Sequence, residues 1–166
     1  MKYFKGMVWK FGDSIDTDII SPGGDKEGKS IFSTMSAVRP EFPTVARKGD
    51  IIVAGKNFGC GSHRESANIV LNDIGISVIV AESVARLFFR VSISLGYPIY
   101  IAPGITDIIE DGEELEVDAE KGFARNVKTG KSVPIQVYPE SVQRIIDNGG
   151  LLPLLKKRYE NERDNR

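Results

Sequence analysis

The 166-residue sequence contains one cysteine, Cys60, and one histidine, His63. A single cysteine excludes an internal disulfide framework. It also excludes a self-contained iron–sulfur or zinc site, because an iron–sulfur cluster needs three or four protein thiolates and a zinc site usually has three or four Cys or His ligands. If the chemistry of this protein requires such a metal, another polypeptide must supply it.

The sequence also lacks a strong net charge and a long apolar run. With 22 basic and 23 acidic residues, its formal net charge is −1, so no overall field attracts nucleic acid or an anionic membrane. No apolar run reaches the roughly 18 residues of a membrane span, and Met1–Gly6 lacks the apolar core of a signal peptide. We therefore expect a cytoplasmic protein that binds small molecules or other proteins, and neither nucleic acid nor membrane.

The composition is that of one soluble domain, with 41% apolar and 27% charged residues. In the first two thirds of the chain, predicted strands alternate with predicted helices, which is typical of an α/β sheet with a parallel portion. The strands are predicted at 4–11, 51–54, 76–81 and 97–102, and the main helices at 62–74 and 83–95.

The pattern changes after residue 110. Three short predicted strands at 114–118, 123–127 and 133–137 are separated by glycine-containing hairpin turns, which adds an antiparallel portion to the sheet. Helices are expected at 140–148 and 151–159. We expect an α/β fold with a mixed sheet, formed by one domain over residues 1–159, and a charged tail at 160–166.

The most informative segment is a glycine-rich loop between a predicted strand and a predicted helix, Gly55–Ala67, with the sequence GKNFGCGSHRESA. Glycine lets the backbone approach a ligand closely, and the unpaired N–H groups of a first helical turn attract anions. The loop therefore predicts a binding site for a carboxylate or a phosphate.

Two other interpretations of this loop stay open. Ser62 and Glu65 have the spacing of a capping box, in which each side chain satisfies a donor at the helix N-terminus. Alternatively, the Gly59-x-Gly61 sequence, with Glu82 after the next strand, partly matches a dinucleotide-binding fingerprint, although Arg64 stands where that fingerprint has its third glycine.

Three segments together resemble one known family. Besides Gly55–Ala67, they are Asp16–Pro22 (DTDIISP) and Ala81–Arg90 (AESVARLFFR). Their order and spacing are similar to those of the small subunits of 3-isopropylmalate dehydratase and of the mobile domain of aconitase. The resemblance extends from about Met7 to about Leu152.

The resemblance implies a swivelling β/β/α domain that belongs to a two-subunit hydro-lyase of leucine biosynthesis. Such an enzyme isomerises a 2-hydroxy acid by dehydration and rehydration, with a [4Fe-4S] cluster held by the large subunit. Removal of a proton next to a carboxylate needs a base and a cationic group that binds the developing charge.

The resemblance assigns site residues by position. Ser62 matches the base of the family, and Arg64 matches its carboxylate-binding arginine. Thr17 and Asp18 match positions that line the same site, and His63 stands where a second serine usually contacts the substrate. A serine hydroxyl is a poor base unless its ionised form is stabilised, which Arg64 and helix N–H groups would achieve.

The loop after Pro22 is the main departure from the family pattern. Gly23–Lys26 replaces a segment in which the family has an arginine, and the resemblance implies that this loop contacts the variable group of the substrate. We expect Lys26 or Lys29 to contact any extra carboxylate as a point charge. The expected substrate is 3-isopropylmalate, with homoaconitate, citrate or a methylated malate as alternatives, and a non-catalytic binding or regulatory domain is the rival hypothesis.

Overall fold

A mixed β-sheet forms the centre of the computed structural model, which describes residues 3–23, 30–62 and 64–164. Seven strands in these ranges form the sheet: β1 (Tyr3–Phe11), β2 (Ile51–Ala54), β3 (Val78–Ala81), β4 (Ile99–Ile101), β5 (Glu114–Asp118), β6 (Phe123–Asn126) and β7 (Ser132–Pro134). Their spatial order is β4-β3-β2-β1-β5-β6-β7.

The helices of the described ranges connect or flank these strands. They are α1 (Thr17–Ile20), α2 (Ser30–Ser33), α3 (Phe42–Val45), α4 (Ser66–Ile74), α5 (Arg86–Ser94), α6 (Ile105–Ile108), α7 (Glu140–Asp147) and α8 (Leu151–Asp164). None of them is both long enough and apolar enough to cross a membrane.

The first four strands are parallel, as the alternating pattern predicts. Every residue of β2 and β3 is buried, in keeping with continuous Val/Ile runs that are covered on both faces. Each crossover moves one strand along in the same direction, so right-handed connections place α4 and α5 on one face of the sheet. Ser92 of α5 and Asn68 of α4 meet there, with 2.6 Å between Oγ and Oδ1.

The antiparallel portion is also confirmed. β5 pairs with the outer side of β1, and β6 and β7 follow as hairpins. Gly122 and Gly130 occupy the turns with φ values of 75° and 73°, a left-handed conformation that glycine adopts without steric cost. The mixed sheet expected from the sequence is therefore present, with β1 as the boundary between its two portions.

Several helices differ from the predictions. α4 begins at Ser66 and α5 at Arg86, four and three residues after their predicted starts at 62 and 83, and α1 lies where no helix was predicted. Asp16 caps α1 by accepting a hydrogen bond from the Asp18 N–H at 2.7 Å. At the other end of the chain, α8 continues to Asp164, beyond its predicted end at Tyr159.

The parallel strands determine where the functional loops lie. β1, β2, β3 and β4 end at Phe11, Ala54, Ala81 and Ile101, all on the same edge of the sheet. In open α/β sheets, ligands bind outside the carboxyl ends of the strands. The glycine-rich loop follows β2 and therefore lies on this carboxyl edge.

Candidate active site

The loops after β1 and β2 are joined to each other along the carboxyl edge. The Thr17 N–H donates to the Cys60 carbonyl at 2.8 Å, and the Gly59 N–H donates to the Ile15 carbonyl at the same distance. Asp16 and Cys60 form an isolated parallel β-bridge. These backbone bonds bring two of the three recognised segments side by side.

Ser62 is held by two side chains. The Thr17 hydroxyl donates to the Ser62 carbonyl at 3.1 Å, and its oxygen lies 3.2 Å from Ser62 Oγ. The Arg64 Nε–H donates to Ser62 Oγ at 3.0 Å. Either hydroxyl can donate in the contact between Thr17 and Ser62; when Thr17 gives its single proton to the carbonyl, Ser62 is the donor.

Arg64 links Ser62 to Asp18, another predicted residue of the site. Its Nη2 donates a short charge-assisted hydrogen bond to the Asp18 carboxylate. The two side chains remain 49% and 64% exposed, and the remaining donors of the guanidinium suit the two oxygens of a substrate carboxylate. The structure thus brings Thr17, Asp18, Ser62 and Arg64 together.

The capping-box interpretation of Ser62 is wrong. The N-cap of α4 is Glu65, in a helical conformation and without a side-chain capping hydrogen bond. The Ser62 hydroxyl is oriented towards Thr17 and Arg64 instead. Gly61, with a φ of 93°, turns the chain before Ser62, and a side chain at Gly61 would lie 2.5 Å from the Asp16 carboxylate.

The dinucleotide interpretation is not supported either. Glu82, which would have to bind a ribose, accepts hydrogen bonds from the Gly104 N–H at 2.7 Å, and from the Thr106 N–H and hydroxyl at 3.0 and 2.7 Å. Burial alone would raise the pKa of Glu82, but these bonds and the charge of Lys56 hold its pKa below the ordinary value. Glu82 therefore holds the start of α6.

Cys60 lies beside the site and is protonated at neutral pH. Burial, followed by the charge of Asp16, raises the pKa of its thiol above the ordinary value. Only a thiolate is a good metal ligand. Among the described residues, no cluster of three or more His, Cys, Asp or Glu side chains could hold a metal ion.

Three predicted site residues, His63, Lys26 and Lys29, lie outside the described residues. Sequence reasoning also missed two aspartates that shape the site. Asp13 accepts a hydrogen bond from the Lys56 N–H at 2.6 Å and lies against Gly55, and Asp16 caps α1 and lies against Gly61. The sequence feature that could have indicated them is an aspartate shortly after a predicted strand, because aspartate favours helix caps and turns.

A cavity of about 630 Å³ lies at the opposite, amino edge of the sheet. Its lining includes Lys5 and Lys48 but no acidic side chain, and the hydroxyl of Ser77 is already bonded to the carbonyls of Gly49 and Asp50. The carboxyl edge remains the better candidate because its polar groups converge on one hydroxyl.

The fold and the site define a class of proteins. The family model of the aconitase C-terminal domain matches residues 23–101. The crystal structure of 3-isopropylmalate dehydratase from Methanocaldococcus jannaschii matches with a TM-score of 0.92 and 35% sequence identity, over 99% of each chain.

Curated relatives narrow this class to one family. The 3-isopropylmalate dehydratase small subunit 1 of Methanopyrus kandleri is 45% identical over 158 residues, which cover 92% of each chain. The isopropylmalate/citramalate isomerase small subunit of M. jannaschii is 44% identical, over 93% of this chain and 94% of the relative. The chain belongs to the family of 3-isopropylmalate dehydratase small subunits.

Proposed function

We propose that this chain is the small subunit of a 3-isopropylmalate dehydratase, a hydro-lyase of leucine biosynthesis that removes water from a 2-hydroxy acid and adds it back. The observation that carries the proposal is the convergence of Thr17 and Arg64 on the hydroxyl of Ser62. Family membership supports it, because the relatives are named for this reaction.

In this proposal Ser62 is the base that removes the proton next to a substrate carboxylate. Its ionised oxygen needs hydrogen-bond donors, and the Arg64 Nε–H already provides one. When Ser62 loses its proton, the Thr17 hydroxyl can rotate from the Ser62 carbonyl to the Ser62 oxygen, since both acceptors lie within 3.2 Å. The charged form thus gains a second donor without any movement of the backbone.

Arg64 has two roles in the proposed reaction. It stabilises the charge on Ser62, and its free donors bind a carboxylate of the substrate. Asp18 orients the guanidinium through their ion pair. We extend the substrate site to His63 and Lys26, as the resemblance implies, with Lys26 as the point charge that contacts the variable group.

The site is incomplete within this chain. Arg64 and Asp18 are half exposed, whereas electrostatic stabilisation of a transition state is strong only where water is excluded. The chain offers one cysteine, whereas an iron–sulfur cluster needs three or four protein thiolates. We therefore propose a large subunit that covers the carboxyl edge and holds the [4Fe-4S] cluster, which supplies the Lewis acid for the leaving hydroxyl.

The test is reconstitution with the large subunit of the same organism under anaerobic conditions. The pair is expected to convert 3-isopropylmalate, and neither chain alone is expected to do so. The name of the M. jannaschii relative makes citramalate a second candidate substrate, so both acids should be assayed beside homoaconitate and citrate. A pair that contains its cluster and converts none of these acids would refute the proposal.

Thr17→Val in the reconstituted pair is expected to lower kcat about 10- to 100-fold at neutral pH, the range for one hydrogen bond to a charged group. Thr17 is 3% exposed, and valine has nearly its shape. Because the ionised Ser62 loses a donor, the rise of kcat with pH should move to higher pH. Thr17→Ser keeps the hydroxyl and should behave nearly as wild type; an unchanged pH profile of Thr17→Val would contradict the rotation of the hydroxyl.

Arg64→Lys is expected to raise KM about 10-fold or more, because a point charge replaces a planar fork that binds both carboxylate oxygens. It should also lower kcat, since the Nε–H contact with Ser62 Oγ is lost. Steady-state kinetics on the reconstituted pair separates the two effects. A variant with normal KM would show that Arg64 does not bind the substrate.

A further inference from the structure

The helix α8 leaves four large apolar side chains exposed, one of which, Leu155, borders a cavity that Arg144 of α7 and Asn148, which follows α7, also line. At about 100° per residue, four large apolar side chains lie within one face about 100° wide. Their exposed fractions are 38% for Leu151, 71% for Leu152, 48% for Leu155 and 68% for Tyr159. Within residues 151–163 only Leu154 is partly buried, and it lies about 110° from the centre of this face.

This arrangement is unusual for a helix that packs only on its own domain, because such a helix turns its apolar stripe towards the core. A helix of 14 residues is also marginally stable by itself in water. The burial of Leu154 alone gives α8 little support. A partner that covers the outer face would supply the missing hydrophobic contact.

The charges at the borders of this face indicate the kind of partner. Lys156 and Arg163 flank Leu152 on one border and form no ion pair with any other described residue. Arg158, on the other border, is paired at 2.9 Å with Glu162, which lies inside the face between Leu151 and Leu155. The unpaired positive charge of this face therefore lies along the border with Lys156 and Arg163, whereas the pair on the other side adds no net charge.

These charges disfavour an antiparallel helix pair with a second copy of the same chain. In a two-fold interface the same patch faces itself, so antiparallel helices place each border against its own copy. Lys156 and Arg163 would then face the Lys156 and Arg163 of the other copy, and like charges at close range repel. A partner with carboxylates beside an apolar groove removes this conflict.

We infer that the outer face of α8, formed by Leu151, Leu152, Leu155 and Tyr159 with the basic border of Lys156 and Arg163, docks into an apolar groove with an acidic rim on the large subunit. This inference rests on the proposed function, which requires that partner. It adds a second point of attachment, separate from the carboxyl edge that carries Ser62.

The second attachment lies far from the candidate active site. Gly96, which follows the end of α5, packs against the backbone of Gly149 and Gly150 just before α8 begins. The site with Ser62 lies beyond the other end of α5, at the carboxyl edge. Loss of the α8 contact is therefore expected to weaken assembly without changing the chemistry at Ser62.

The test compares two triple variants in titrations of the chain with the large subunit. The first replaces Leu152, Leu155 and Tyr159 with serine, and the control replaces Lys157, Glu160 and Asp164, three polar residues of the same helix, with serine. Both carry three serines in one helix, so a general loss of helix stability affects them equally. We expect the first to raise the Kd of the two chains at least about 100-fold and the control to raise it only slightly.

A second measurement tests the charges: Lys156→Glu with Arg163→Glu should also raise the Kd, whereas Lys157→Glu should not. At saturating large subunit, kcat of every variant should equal that of wild type. If the wild-type pair is active and the variant with three serines in the apolar face binds the large subunit with an unchanged Kd, the inference is refuted but the proposed function is not. A wild-type chain that does not bind the large subunit would refute both. If the wild-type chain self-associates and the variant with three serines in the apolar face is a monomer, the face binds a second copy, and the inference is wrong.

Discussion

Ser62→Ala is expected to abolish turnover in the reconstituted pair and to leave the fold and the affinity for the substrate almost unchanged. A positioned acid–base group contributes about 10²- to 10⁴-fold to the rate, and kcat should fall by at least this amount. The alanine removes the oxygen on which Thr17 and Arg64 converge, but it leaves the Arg64 guanidinium in place to bind a carboxylate. Single-turnover kinetics and a binding titration with a substrate analogue would measure the two effects separately.

The same variant decides between chemical and structural roles of Ser62. Its hydroxyl does not cap α4, so the melting temperature of Ser62→Ala should stay close to that of wild type. Ser66→Ala, at the first residue of α4, is a suitable control because it changes the same kind of side chain at the helix start. Near-normal kcat in Ser62→Ala would remove the base from the mechanism and, with it, the role proposed for Thr17.

The sheet could be predicted from the sequence because its signals are local. The apolar run Ile51–Ala54 and the alternating segment Glu114–Asp118 coincide with β2 and β5, since each is bounded by residues that favour turns. Gly75 ends α4 in the left-handed conformation, as its position suggested. Where the spacing of apolar residues and the turn-forming residues at both ends indicate the same element, the strand or helix can be predicted from the sequence.

The short helices could not be predicted in this way. α1 depends on the cap that Asp16 provides and on the hydrogen bonds that tie this loop to Cys60. Four residues are too few to show a helical period. The early start predicted for α4 has the same cause, because Ser62–Glu65 satisfies a local capping pattern, while the Ser62 side chain takes its partners from another segment.

The site itself was predicted in part. Thr17, Asp18, Ser62 and Arg64 could be selected by resemblance, but the sequence does not show that the Thr17 hydroxyl donates to the Ser62 carbonyl. That contact joins residues 45 positions apart and depends on the parallel pairing of β1 with β2. The outward direction of the apolar face of α8 likewise emerged only from burial, because periodicity alone predicts an apolar face without saying what it contacts.

Gly59→Ala is expected to destabilise the chain by about 2–5 kcal/mol, because it combines a left-handed backbone with overpacking. The φ of Gly59 is 75°, and an added Cβ would lie 2.2 Å from Cγ of Phe88. Phe88 is 2% exposed and packs edge-on against Phe58, with ring centroids 5.5 Å apart. Because the ring of Phe88 is buried in the packed core, we expect the glycine-rich loop to shift instead.

Gly112→Ala provides the matched control for this prediction. Gly112 has the same φ of 75°, but nothing lies within 4 Å of the position that its Cβ would take. It should therefore lose only the cost of the left-handed backbone, about 1–2 kcal/mol. Urea unfolding of the two variants would isolate the contribution of Phe88, and equal losses of stability would contradict the close packing of the loop on α5. The Gly59 N–H also joins this loop to the Ile15 carbonyl, so Gly59→Ala should displace Ser62 from Thr17. We therefore expect the folded fraction of Gly59→Ala to be inactive when it is reconstituted with the large subunit. Gly112→Ala, reconstituted in the same way, should keep its activity.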